Sequence, residues 1–172
     1  MPKLLVLIDG EDEGIAAVAE SIHEGARSVR FAESDLMRLP GNPGPVRIAR
    51  LRTLDEPDGL LSYDAIVIGA RPGGEGGLAR MLEGAGRLGM HGKLANKLGS
   101  VFPAAAPSAA GADNPLWPLL APMARYGMIL VPPGYAGPDG NPEDLPAAAR
   151  RLGKRLIDIA AWITHARSHH HH

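Results

Sequence analysis

"KLLVLIDGEDEGIAAVAESIHEGA" (residues 3–26) decides the fold. Its first seven residues form a short, nearly all-apolar run, the mark of a parallel strand covered on both faces. From residue 13 the pattern turns helical, so the stretch reads as strand 3–9, a glycine-containing turn, and helix 13–27. Such a turn normally aims a helix N-terminus at an anion. This one carries Asp9, Glu11, Asp12 and Glu13.

The same alternation continues down the chain. Further strands are expected at 28–39, 64–70, 98–104 and 126–132, with helices at roughly 76–88, 114–125 and 142–166. The last helix has a start signal in "NPED": Asn141 as N-cap, Pro142 in the first turn, and Glu143 and Asp144 favouring the dipole. Asp113 and Asn114 are expected to cap the helix beginning at Pro115. A β-α-β-α order with right-handed crossovers gives an α/β, doubly wound parallel sheet with helices on both faces. Five strands in this length suit the flavodoxin-like order 2-1-3-4-5, in which ligands sit beyond the carboxyl ends of strands 1, 3 and 4. Those ends are residues 9–14, 70–77 and 103–114, so three loops frame the site.

Size and composition narrow the function classes. The 172-residue chain ends in "RSHHHH" (167–172), expected to be a vector scar and affinity tag, which leaves 1–166 as a single domain. A net charge of −1, no basic run, and only two Trp, three Tyr and two Phe offer nucleic acid neither a phosphate track nor a stacking platform. The absence of cysteine removes disulfides, thiolate catalysis and Cys-bound zinc together. No run approaches the ~18 apolar residues of a membrane span, and the N-terminal run is too short for a signal peptide. A cytoplasmic protein with no membrane partner is expected.

Four segments carry a family resemblance: residues 3–26, "YDAIVIGARPGG" (63–74), "GKLANKLGSVF" (92–102) and "YGMILVPPGYAGP" (126–138). They resemble the WrbA-type NAD(P)H:quinone oxidoreductases, which are flavodoxin-fold FMN enzymes. The likeness runs from Lys3 to about Gly137, and residues 139–156 are similar to the family's final helix. It implies a flavodoxin-like fold, self-association as a dimer or tetramer, and an FMN site at the three loops. The family's FMN-loop positions fall on Gly10, Glu11, Asp12, Glu13 and Gly14, then on Ala70, Arg71, Pro72, Gly73 and Gly74, and finally on Ala104 and Ser108.

The chain departs from the family at those loops. The serine that meets the FMN phosphate falls on Gly10, and a threonine position falls on Ala17. The Pro-Thr-Arg-Phe-Gly segment that packs on the flavin ring falls on Arg71, Pro72, Gly73, Gly74 and Glu75, so its aromatic ring is gone. The Thr- and Gly-rich third loop is "PAAAPSAAGAD" (103–113), with Ser108 as its remaining hydroxyl donor. A phosphate dianion ~5 Å from one carboxylate is repelled by roughly 2 kcal/mol at the dielectric of water and roughly 6–7 at an effective value of ~20. Even the lower figure costs tenfold or more in affinity, so no tightly bound FMN is expected. Two functions stay open. One is a binding, regulatory or structural module with a degenerate FMN site. The other is an FMN-dependent NAD(P)H:quinone oxidoreductase in which main-chain amides replace the lost side chains. No catalytic residue is identified.

Individual residues keep alternatives. The acids stabilise a helix N-terminus, or form a surface for a cationic ligand or basic partner. Asp9, Glu11, Glu13, Gly14 and Glu20 also fall on calcium-loop spacing, although a strand precedes them where that motif needs a helix. Arg125 could meet a nicotinamide cofactor's phosphates or complement a helix C-terminus. "RPGGEGG" (71–77) is an anion nest clamped by Arg71 or a mobile loop; His23, His91 and His165 read as surface histidines; Trp117 reads as core or interface.

Overall fold

Alternating side chains along the first strand serve two cores at once. The computed structural model describes residues 1–41, 48, 50–70, 76–87, 91–102, 117–134 and 144–169. In chain order it runs β1 (Lys3–Asp9), α1 (Glu13–Arg27), β2 (Glu33–Arg38), β3 (Arg52–Thr53), a 3-10 turn (Pro57–Ser62) and β4 (Ala65–Ala70). It continues through α2 (Gly76–Arg87), α3 (His91–Leu94), β5 (Leu98–Phe102), α4 (Trp117–Arg125), β6 (Ile129–Leu130) and α5 (Leu145–His169). On one face Leu4, Val6 and Ile8 of β1 pack with Ile15, Val18 and Ile22 of α1 and with Leu152, Leu156 and Ile157 of α5. On the other, Leu5 and Leu7 pack with Leu78, Met81 and Leu82 of α2 and with Leu119, Leu120 and Met123 of α4. Each such side chain, once buried, contributes about 1.5–3 kcal/mol of transfer free energy.

All strand pairs are parallel, in the order β3-β2-β1-β4-β5-β6. This is the expected flavodoxin-like order with one strand added, so five strands become six. The addition is small: Arg52 and Thr53 pair with Met37 and Arg38 at the end of β2, and the Leu54 amide donates to the Arg38 carbonyl at 2.9 Å.

Element ends differ from expectation for local reasons. Strand β2 starts at Glu33, five residues late, because Ser28 caps α1 and Phe31 takes a positive φ of 58° in the turn that follows. Strand β6 starts at Ile129 because "YG" closes α4. Gly127, at φ 73°, donates to the Ala124 carbonyl at 3.1 Å while the Met128 amide reaches the Met123 carbonyl at 3.3 Å, a Schellman arrangement. Helix α5 starts at Leu145 and runs to His169, beyond residue 166. Its cap is Asp144, whose Oδ1 accepts the Ala147 amide at 2.7 Å. The expected cap Asn141 and Pro142 lie outside the described residues, as do Asp113, Asn114 and Pro115. The four-residue α3 was not anticipated.

Helices α1 and α5 touch backbone to backbone. A Cβ on Gly25 would collide with the Arg150 carbonyl, and one on Gly153 with the Ile22 carbonyl. The two glycines therefore set the closeness of that face. On the sheet itself the fully buried Ser100 hydroxyl donates to the Val131 carbonyl at 2.6 Å, tying β5 to the segment after β6. Among the described residues, no helix is long and apolar enough to cross a membrane.

Candidate functional site

The carboxyl ends of β1 and β4 lie side by side, with Asp9 in register with Ala70. From there the chain leaves to opposite faces, into α1 on one side and α2 on the other. That divergence is the switch point at which open α/β sheets form a ligand crevice. Gly10 turns the chain out of β1 at φ 113°, a conformation strained for any residue with a Cβ.

The next acids are committed to α1. Asp12 is the N-cap, and its Oδ1 accepts the Ile15 amide at 2.9 Å while its carbonyl accepts the Ala16 amide at 3.0 Å. Glu13 sits in the first turn, and Glu11, Glu13 and Gly14 are exposed. The helix-terminus role expected for the acids is therefore met by Asp12.

Asp9 takes a different direction, which the pleat dictates. As the strand alternates, Asp9 shares the face of Leu5 and Leu7, the side covered by α2. A Cβ on Gly77 would collide with Asp9 Oδ2 and lie 3.1 Å from its Cγ and 3.2 Å from Leu39 Cδ1. The Asp9 carboxylate thus rests on the first turn of α2. A cleft of about 220 Å³ adjoins the same turn, lined by Leu39, Pro40, Asp55, Pro57, Gly77, Arg80 and Met81.

This placement overturns the calcium-loop spacing. Asp9 turns to α2, Glu11 and Glu13 are exposed at the start of α1, and Glu20 lies inside α1, so the carboxylates diverge. Among the described residues, no group of three or more His, Asp or Glu side chains could hold a metal ion. In the second loop Ala70 ends β4 and is buried. Arg71, Pro72, Gly73 and Gly74, and in the third loop Ala104 and Ser108, fall outside the described residues.

Two further expectations change. Arg125 and Tyr126 end α4 just before β6 begins, at the amino edge of the sheet and opposite the crevice. They line a groove with Ala79, Glu83, Pro118, Ala121 and Pro122, and Arg125 lies in the last turn of α4, the position that complements a helix C-terminus. His23 is not a free surface residue: its Nδ1 lies 2.8 Å from Ser34 Oγ, and it is half-buried. Burial, then the charge of Arg27, lowers its pKa, with Asp35 opposing. Sequence separation hid this pair, which exists because α1 covers β2.

A polar cluster at the amino edge was likewise missed. The Tyr63 hydroxyl donates to Asp35 Oδ2 at 2.7 Å, and Asp35 also faces Lys3 at 3.6 Å and Arg52 at 3.4 Å. Lys3 reaches Glu33 at 3.5 Å, and its amide donates to Asp64 Oδ2 at 2.9 Å. Burial and the bond to Asp35 push the Tyr63 pKa well above the usual tyrosine range. Lys97 donates to the Leu61 and Tyr63 carbonyls, and burial lowers its pKa. This cluster holds the strand entries together.

No family model matches the chain. Solved structures share its fold at low identity. A flavodoxin, WrbA-like protein from Agrobacterium tumefaciens is 20% identical over 94% of this chain and 99% of its own, with a TM-score of 0.62. A flavodoxin from the domain Archaea is 16% identical over 92% and 99%, with a TM-score of 0.60. A flavoenzyme NAD(P)H:(acceptor) oxidoreductase from Paracoccus denitrificans is 14% identical over 94% and 98%, with a TM-score of 0.57. The fold is flavodoxin-like.

Proposed function

We propose that this flavodoxin-like chain has lost tight FMN binding and acts as a binding, regulatory or structural module. One observation carries the proposal: both helix N-termini that flank the crevice face carboxylates of the chain itself, Asp12 at α1 and Asp9 at α2. A helix N-terminus attracts an external phosphate through unsatisfied amides and the positive end of its dipole. Asp12 already accepts one of those amides, and leaving it would cost about 1 kcal/mol of capping. A phosphate approaching α1 would therefore meet a fixed negative charge. The hydroxyl donors that the family resemblance calls for are absent at Gly10 and Ala17, which adds to the deficit.

The purified protein is expected to be colourless and to gain no thermal stability from excess FMN. A ligand at 100 times its Kd stabilises by about 2.7 kcal/mol, which for a chain of this size raises Tm by roughly 5–10 °C. Flavin absorbance in the purified protein, or a shift of that size, would overturn the proposal.

A second reading keeps the FMN-dependent NAD(P)H:quinone oxidoreductase activity. It is favoured by the exposure of Glu11 and Glu13, which fits acids that point outward while main-chain amides of Gly10 to Gly14 and of "ARPGG" (70–74) replace the usual side chains. In that case the flavin, when bound, supplies the hydride chemistry and the chain supplies orientation. NAD(P)H oxidation that requires both added FMN and a quinone would establish it.

A further inference from the structure

Helix α5 presents an outward stripe that its packing against the sheet does not use. Trp162 is 69% exposed. Beside it lies a groove of about 410 Å³, lined by Arg151, Lys154, Arg155, Asp158, Ile159 and Trp162 itself. The bases are held in place: Arg151 donates to the Gly134 carbonyl at 2.7 Å and Arg155 to the Pro132 carbonyl at 3.1 Å. Lys154 pairs with Asp158 at 2.6 Å. An exposed tryptophan alone needs no explanation. A tryptophan and the groove that would receive one, on a single patch, is the requirement of an isologous contact, in which the same surface serves both copies.

The order of charges strengthens this. Arg151, Arg155, Asp158 and Trp162 follow one another at steps of four, three and four residues, one face of a helix. The spacing is the same from either end. When two such stripes lie antiparallel about a two-fold axis, Arg155 of each copy faces Asp158 of the other, and Arg151 faces Trp162. The centre then holds two reciprocal ion pairs, and each end holds a guanidinium over an indole. In a parallel arrangement like would face like, with Arg155 against Arg155.

We propose that this face of α5 is a two-fold interface with a second copy of the chain, the helices antiparallel and Arg155 opposite Asp158. The inference goes beyond the loss of FMN and does not depend on it.

Sedimentation equilibrium of the full chain tests it. A single helix pair is a small interface, so a dimer with Kd on the order of 10 µM is expected. Asp158→Arg and Arg155→Asp are each expected to weaken association at least ~10-fold, and the double variant to restore it to within a few-fold, because the reciprocal pairs reform with reversed sign. Trp162→Ala is expected to weaken it ~10-fold or more. The three substituted positions make only surface contacts within the chain, so far-ultraviolet circular dichroism and Tm should stay near those of the parent chain. A chain that stays monomeric to roughly 200 µM overturns the proposal. So does association indifferent to Asp158→Arg, or a double variant no better than either single one.

Discussion

The two edges of the sheet treat carboxylates in opposite ways. At the amino edge Asp35 is answered by side chains: the Tyr63 hydroxyl, Lys3 and Arg52. At the carboxyl edge Asp12 accepts the Ile15 amide at the start of α1, and the Asp9 carboxylate lies against Gly77 in the first turn of α2. The first arrangement spends charge on charge and fixes strand entries. The second spends the chain's own acids on the positive main-chain ends that this architecture offers to an anionic ligand.

The contrast can be broken most strongly at the carboxyl edge. A variant carrying Asp9→Asn, Glu11→Ser, Asp12→Asn and Glu13→Ser keeps a capping side chain at position 12 and removes the negative charge. Its affinity for FMN should rise by about 100-fold or more, followed by quenching of flavin fluorescence. Unchanged affinity would move the deciding defect to the second and third loops.

The amino edge should answer with stability and not with ligand. Asp35→Ala leaves the Tyr63 hydroxyl buried without its acceptor and is expected to cost about 2–3 kcal/mol in urea unfolding. Tyr63→Phe, which leaves Asp35 its two cations, should cost only about 1 kcal/mol. Back at the crevice, Asp12→Ala should lose about 1 kcal/mol of cap, while Asp12→Asn should stay within a few tenths. Equal losses for the two would show that Asp12 acts through charge and not through its hydrogen bond.

The smallest effect concerns His23. Its folded pKa lies below 6.5 because burial and Arg27 disfavour the charged ring. As pH falls, the unfolded chain therefore takes up the proton first. The stability linked to His23 is full above about pH 6.5 and is lost as pH falls through the folded pKa. Thermal unfolding below pH 6.5 should show a shallower loss in His23→Gln than in the parent chain.

Periodicity made the fold legible. The apolar runs at β1, β4 and β5 read as parallel strands covered on both faces, and α1 and α2 fell where their spacing put them. What escaped were features decided by contact at a distance. Strand β3 has two residues and no pattern of its own. Gly127 looked like part of a strand because a helix C-cap and a strand start share "YGM". At the site, the acids of the first loop and their place at a helix N-terminus were visible from the outset, but which of them caps the helix was not. The turn of Asp9 toward α2 was not, because it needs both the pleat of β1 and the approach of Gly77. His23 and Ser34 likewise meet only once α1 lies over β2.

Parallel titration of the unmodified chain with FMN and with riboflavin tests the central claim most directly, since the two differ by the phosphate alone. If carboxylates at the two helix N-termini repel that phosphate, FMN should show no saturable binding up to about 100 µM and should bind no better than riboflavin. Saturable FMN binding in the micromolar range or tighter, well ahead of riboflavin, would contradict it.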